Sequence, residues 1–281
     1  MSDIFAINAA INKRAGRKLL PSIAVSLSLI ALIWFALAYH REIFAVVVAV
    51  AVLLGIREIV RAFGVRGTYI SINFLVLASI ALSYSAWNGG VAGLATATAI
   101  AIPVLLIQLL SKGPEGFVAS ATATTFSLLY LPFLGGFLIL LARTSNGFER
   151  VMTFVILVSC NDTFGYIVGV LIGKHPLAPK ISPKKSWEGL AGSLIFTVAG
   201  GVLAFTYIME LHWWIGIIVG LMIVFTATCG DLIESAMKRD LALKDMGSLL
   251  PGHGGMLDRL DSVLISAPAL WLALELVKAW L

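Results

Sequence analysis

Long apolar runs, each about the length of a bilayer crossing, follow one another along the 281-residue chain with short polar breaks between them. A helix needs about 20 mostly apolar residues to cross roughly 30 Å of hydrocarbon. Nine stretches meet that condition: 19–39, 43–61, 69–86, 91–110, 117–142, 151–173, 190–209, 213–230 and 262–280. The second has a short uninterrupted run, Ile43 to Ile56, and closes on the amphipathic Arg57-Glu58-Ile59-Val60-Arg61, so it is expected to continue as helix into the interface. Backbone in lipid must satisfy its own hydrogen bonds, and no ten-residue alternating pattern suggests a barrel. The expected fold is therefore all-α, a polytopic transmembrane helical bundle.

Composition agrees, since 59% of residues are hydrophobic and only 12% charged, against about 45–50% and 25% in soluble domains. The distribution of charge then gives orientation, because cytoplasmic segments carry the excess of Lys and Arg. With the N-terminus inside, the inside segments hold Lys13, Arg14, Arg17 and Lys18; Arg57, Arg61 and Arg66; Lys112; Lys174, Lys180, Lys184 and Lys185; and Lys238, Arg239, Lys244 and Arg259. Only Arg41, Arg143, Arg150 and Lys278 fall outside. Nine spans with a cytoplasmic N-terminus follow, and loops 174–189 and 231–261 share the cytoplasmic side. The N-terminal basic cluster precedes no small-residue cleavage site and is read as a retained interfacial start. The net charge of +5 reports loop orientation and anionic headgroups, not a nucleic-acid partner. Cys160 and Cys229 lie in apolar stretches as small buried hydrophobes.

Polar chemistry is concentrated late in the chain. Residues 1–150 read as a transmembrane scaffold rich in small residues, whereas 151–281 carry the candidate site. If the eighth span continues as helix beyond the membrane, Asp231, Glu234, Ser235 and Lys238 share one face at i, i+3, i+4, i+7 spacing. Asp258 and Asp261 repeat the i, i+3 spacing where the ninth span begins, beside Arg259. Asp231, Asp258 and Asp261 together make a candidate hard-cation site, of the kind Mg²⁺ shares with substrate phosphates; each of the latter two alone could simply cap a helix. Between them, Pro251-Gly252-His253-Gly254-Gly255 is a turn whose amides can approach a polyphosphate. Ser182-Pro183-Lys184-Lys185-Ser186-Trp187-Glu188-Gly189 offers paired lysines for phosphate or headgroup, or else a positive-inside loop with an interfacial Trp. Asn161 and Asp162 lie inside the sixth span, where an ionisable group serves a site or is paired. Gly169 to Lys174 is one residue short of a phosphate-binding P-loop and has His175 in place of Ser or Thr.

The run from Ser235 through Lys238-Arg239, Lys244-Asp245, Pro251, His253-Gly254-Gly255, Asp258-Arg259 and Asp261 resembles the signature of the phosphatidate cytidylyltransferases, the CDP-diacylglycerol synthases. Asn161-Asp162, residues 182–189 and Gly230-Asp231 resemble the family's upstream elements. The resemblance is specific over 160–262 and only topological before that. It implies that CTP and phosphatidate give CDP-diacylglycerol and pyrophosphate, with Mg²⁺ and, in some members, K⁺ as a second cation. It further implies that Asp231, Asp258 and Asp261 hold the metal, and that the protein forms a homodimer. Lys238, Arg239, Lys184, Lys185, Ser235 and Ser186 are candidates for phosphate contacts, with Asn161, Asp162, His253, Gly254, Gly255 and Arg259 completing the substrate site. The expected location is the bacterial inner membrane, with the site facing the cytoplasm. Other readings are a different membrane phosphotransferase, a transporter using Asp162 as an ion path, or a structural subunit. The long Asp-Gly, Ala-Arg, Gly, Asp, Asp pattern of CDP-alcohol phosphotransferases is absent; polar residues on one membrane side and the lack of paired broken spans disfavour a transporter; and a structural subunit leaves the charged clusters without a role.

Overall fold

A computed structural model describes residues 19–247 and 254–280. The basic cluster at Lys13, Arg14, Arg17 and Lys18 lies outside the described residues, as does His253. The chain forms helices α1 (Leu19–Tyr39), α2 (Arg41–Val65), α3 (Ile72–Leu110), α4 (Phe117–Leu128), a π-helical turn (Leu129–Phe133), α5 (Leu134–Arg143) and α6 (Gly147–Ile172). Strands β1 (Pro176–Ala178) and β2 (Ser182–Ser186) precede α7 (Trp187–Tyr207), α8 (Trp213–Asp240) and α9 (Leu257–Trp280). Among the described residues seven helical segments are long and apolar enough to cross a membrane, counting α4 through α5 as one. The protein is thus an all-α polytopic bundle. Large apolar side chains such as Val46, Leu77, Ile107, Val118 and Phe225 lie on its outer surface, as a lipid-solvated protein requires.

A straight helix of the 39 residues in α3 would reach about 58 Å, nearly twice the hydrocarbon thickness. Instead α3 folds back on itself. Gly90 takes φ 64°, ψ −150°, a left-handed conformation that glycine adopts without a β-carbon penalty, and the backbone of Ser85 fills the space beside Gly93. Lys112, just past the end of α3, sits 4.9 Å from the ring centre of Tyr69, just before its start. The stretches 69–86 and 91–110 are the two arms of this hairpin. Arg143 holds its tip, donating from Nε to Trp87 O at 2.8 Å and from Nη2 to Asn88 O at 3.2 Å.

Side-chain links also sort the helix ends into two faces. One face joins Arg41 to Thr144 O, Arg143 to the α3 tip and Arg150 to Glu275. The other joins Arg66 to Asp240 O, Glu58 to the start of α9, Lys185 to Asp231 and Arg239 to Ile181 O. That second face carries most of the Lys and Arg among the described residues. The two strands pair antiparallel, Pro176 with Ser186 and Ala178 with Ser182, so the 174–189 loop contains a small hairpin lying on this same face.

Proline shapes the fifth span. Pro132 has no N–H to donate and its ring crowds the carbonyl four residues back. The helix widens to π geometry over Leu129–Phe133, and Leu131, fully buried, packs against Gly55 of α2 and close to Leu257.

Candidate active site

Helices α6, α7, α8 and α9 pack closely on one another. Glycines allow it: Gly165 and Gly192 of α6 and α7 press against Ser193 and Val168, with no room for β-carbons. At the α8–α9 crossing the backbone of Asp261 and Ser262 occupies the space where a Gly230 side chain would stand. This contact sets Asp231, the next residue of α8, beside Asp261. Asp231 is nine residues from the end of α8 at Asp240, about 14 Å below that helix end at 1.5 Å per residue.

Three helices supply this carboxylate node. Asp162 of α6 accepts from Asn161 Nδ2 at 3.0 Å and from Ser262 Oγ of α9 at 3.2 Å. Ser193 Oγ of α7 donates to Asn161 O at 2.6 Å, fixing the backbone at that level. Asp231 Oδ2 is 2.5 Å from Lys185 Nζ, and Asp261 Oδ1 accepts from the Ser262 amide at 2.7 Å. Asp162, Asp231 and Asp261 lie within electrostatic range of one another. Three acidic side chains therefore gather here, with Lys185 paired directly to one of them.

A second node lies beside the first. Lys238 pairs with Glu234 one helical turn back and with Asp258 Oδ1 at 2.8 Å. Asp258 Oδ2 accepts from Met246 N at 3.1 Å and Gly255 N at 2.8 Å. Both oxygens of Asp258 are thus engaged by protein donors. Gly254, at φ 79°, packs against that carboxylate, and Arg259 occupies the same first turn of α9. Glu234 is wholly buried and Ser235 nearly so. Of the three acids grouped in sequence, Asp258 thus holds the start of α9, and Asp231 and Asp261 lie together at the α8–α9 crossing.

Glu58 of α2 is not among the site residues that the sequence predicts. Its carboxylate is buried and accepts from Met256 N at 2.9 Å and Leu257 N at 2.8 Å. The first amides of a helix have no intrahelical acceptor, and Glu58 supplies it from almost 200 residues away. Gly247 and Gly255 pack against the same carboxylate. The only sequence signal was one acid in the amphipathic end of the second span, assigned there to the interface.

The hairpin forms the rim. Successive residues of a strand point to opposite sides, so Lys185 reaches inward to Asp231 while Lys184 is exposed. Arg239 Nε donates to Ile181 O at 3.3 Å, holding the hairpin on the end of α8. Ser186, a phosphate candidate from sequence, caps α7 by accepting from Gly189 N at 3.1 Å. Glu188 closes the base of the hairpin, accepting from Lys174 N and His175 N and meeting His175 Nδ1 at 2.6 Å.

Comparison with known proteins bears directly on this geometry. The model of the cytidylyltransferase family matches residues 22–277. The chain belongs to that family. It is 37% identical over 277 residues to the phosphatidate cytidylyltransferase of Mycobacterium bovis, covering 94% of this chain and 90% of that protein. It is 39% identical over 280 residues to the phosphatidate cytidylyltransferase of Mycobacterium leprae, with coverage of 94% and 90%. The phosphatidate cytidylyltransferase of Staphylococcus haemolyticus is 36% identical over 174 residues, 61% of this chain and 65% of that protein. The long matches extend the resemblance far beyond 160–262, into the helices that contribute Glu58.

Among the described residues, no three His, Cys, Asp or Glu side chains are grouped to hold a metal ion unaided. The acidic groups at the node nonetheless offer hard carboxylate oxygens. Mg²⁺ is commonly held by one or two carboxylates and completed by water and substrate phosphates. Asp231 and Asp261 fit that mode, and Asp258, the third expected ligand, accepts from Lys238 and two amides one helical turn away.

Proposed function

We propose that this protein transfers the cytidylyl group of CTP to phosphatidate, giving CDP-diacylglycerol and pyrophosphate. The observation that carries the proposal is the carboxylate node of Asp162, Asp231 and Asp261, recessed between helices and bordered by Lys185 and Lys238. A site for two polyanions must overcome their repulsion and hold them in line. Phosphatidate already presents an anionic oxygen, so no general base is needed. That oxygen attacks the α-phosphorus of CTP, a new P–O bond forms, and the bond to the β-phosphate breaks as pyrophosphate leaves. Lys185 and Lys238 offset charge on the transferring phosphates, Lys184 and Arg239 attract polyanions at the rim, and Ser235, Asn161, Gly254, Gly255 and Arg259 complete the substrate surroundings. Mg²⁺ held by Asp231, Asp258 and Asp261, with K⁺ as a second cation, would supply charge neutralisation at the nucleotide phosphates when bound. Ser186 acts through the hairpin and the α7 cap.

Topology is part of the same reading. The folded-back α3 adds one crossing to the seven apolar segments, and α1 adds another, giving nine passes. The basic face then lies in the cytoplasm with the N-terminus, so that CTP enters from that side while the acyl chains stay among the helices. An inner-membrane location follows for a bacterial cell.

The test is pyrophosphate release by purified protein in mixed micelles, with CTP, phosphatidate and Mg²⁺ each supplied or withheld and lipid products resolved. Release that needs all three, together with a CDP-lipid, is expected. Turnover without phosphatidate, or a folded protein with none, would refute the reading.

A further inference from the structure

The fifth span carries a buried polar group that nothing so far uses. Tyr130 sits in the π-helical turn, is 4% exposed, and stacks on Phe126 with ring centres 5.2 Å apart. Among the described residues its hydroxyl has no hydrogen-bond partner. The next residue, Leu131, meets Leu257 at Gly55, which sets the π turn at the level where α9 begins, and the phenol lies within electrostatic range of Asp261, Glu234 and Asp231. A buried hydroxyl without a partner is costly, and π turns inside helices are often found at functional sites. Here the turn has an identifiable cause in Pro132, and it alters which way the residues around it face.

We propose that Tyr130 is a further substrate-contacting residue, whose hydroxyl donates a hydrogen bond to a phosphate oxygen bound at the carboxylate node. The inference rests on the cytidylyltransferase reading above. A neutral phenol can donate to a phosphate oxygen there without the ion pairing that already engages Lys185 and Lys238. The oxygen it meets belongs either to the nucleotide or to the lipid phosphate; the chemistry is the same for both.

Tyr130→Phe separates this role from a structural one, because it removes the hydroxyl and keeps the stacked ring. If the hydroxyl has no partner in the free protein, its loss leaves the unliganded unfolding midpoint unchanged or higher. If it contacts substrate, kcat/KM falls by roughly ten- to a hundredfold, and the rise in midpoint on adding Mg²⁺ with CTP, or phosphatidate alone, is reduced. A raised KM for CTP alone assigns the contact to the nucleotide, and one for phosphatidate alone assigns it to the lipid. Wild-type kinetics and wild-type ligand stabilisation in Tyr130→Phe overturn the inference while leaving the function intact. So does a lower midpoint in the unliganded variant, which would reveal a structural partner. Absence of cytidylyl transfer by the wild-type protein is a separate failure, of the function itself.

Discussion

Replacing Glu58 by alanine tests how the first half of the chain builds the site. The carboxylate of Glu58 accepts the Met256 and Leu257 amides at 2.9 and 2.8 Å in a buried setting. A hydrogen bond to a charged acceptor contributes about 1.5–3 kcal/mol, and loss of a helix cap costs about 0.5–2 kcal/mol. The two bonds are not independent, so Glu58→Ala is expected to cost about 2–4 kcal/mol locally. Glu58→Gln keeps one acceptor oxygen but sets an NH₂ against the other amide, and is expected to cost roughly half as much. The effect concentrates at the start of α9, where Asp258 and Asp261 are placed, so turnover should fall more steeply than global stability. Hydrogen–deuterium exchange in detergent provides the assay: faster exchange at 255–258 with unchanged protection in α6 and α7 is expected, in parallel with lost turnover. Unchanged exchange at 255–258 in Glu58→Ala would refute the capping role.

Further substitutions read other contacts. Gly230→Ala puts a methyl against the Asp261 backbone, which no rotamer change can relieve; a cost of about 1–3 kcal/mol from overpacking is expected, with loss of turnover measured beside the unfolding midpoint. Lys185→Met, removing the direct partner of Asp231, is expected to lower kcat/KM at least about tenfold, whereas Lys184→Met at the exposed rim acts through a salt-dependent KM. Ser186→Ala removes the α7 cap and should cost about 1 kcal/mol of stability, with a modest effect on rate.

Span positions were legible because lipid imposes a length and an apolar composition on every crossing. The expected stretches 43–61, 117–142 and 213–230 lie within observed helices, and α8 does extend to Asp240, placing Asp231 and Lys238 on one helix as the spacing predicts. The gap between the stretches 69–86 and 91–110 is the tip of the α3 hairpin in space. What spacing could not supply was which charges meet. Asp258 and Asp261 look equivalent at i, i+3, yet one accepts from Lys238 and two amides while the other accepts from the Ser262 amide at the α8–α9 crossing. Ser186 stands beside two lysines in sequence, and its role as the cap of α7, where β2 ends, had no signal there. Glu58 belongs to a span that reads as scaffold, because its partners, the Met256 and Leu257 amides, are almost 200 residues away along the chain. The short β-hairpin arises from local turn geometry in a loop with no apolar alternation to announce it.

Fate of label from CTP tests the central claim most directly. Protein in phosphatidate micelles with Mg²⁺ is given CTP labelled at the α-phosphorus or at the γ-phosphorus, alongside an Asp261→Asn variant shown to be folded. The account predicts α-label in the lipid product, γ-label in pyrophosphate, and neither transfer in the variant. Label from the γ-phosphorus in lipid, or full α-transfer by folded Asp261→Asn, would contradict it.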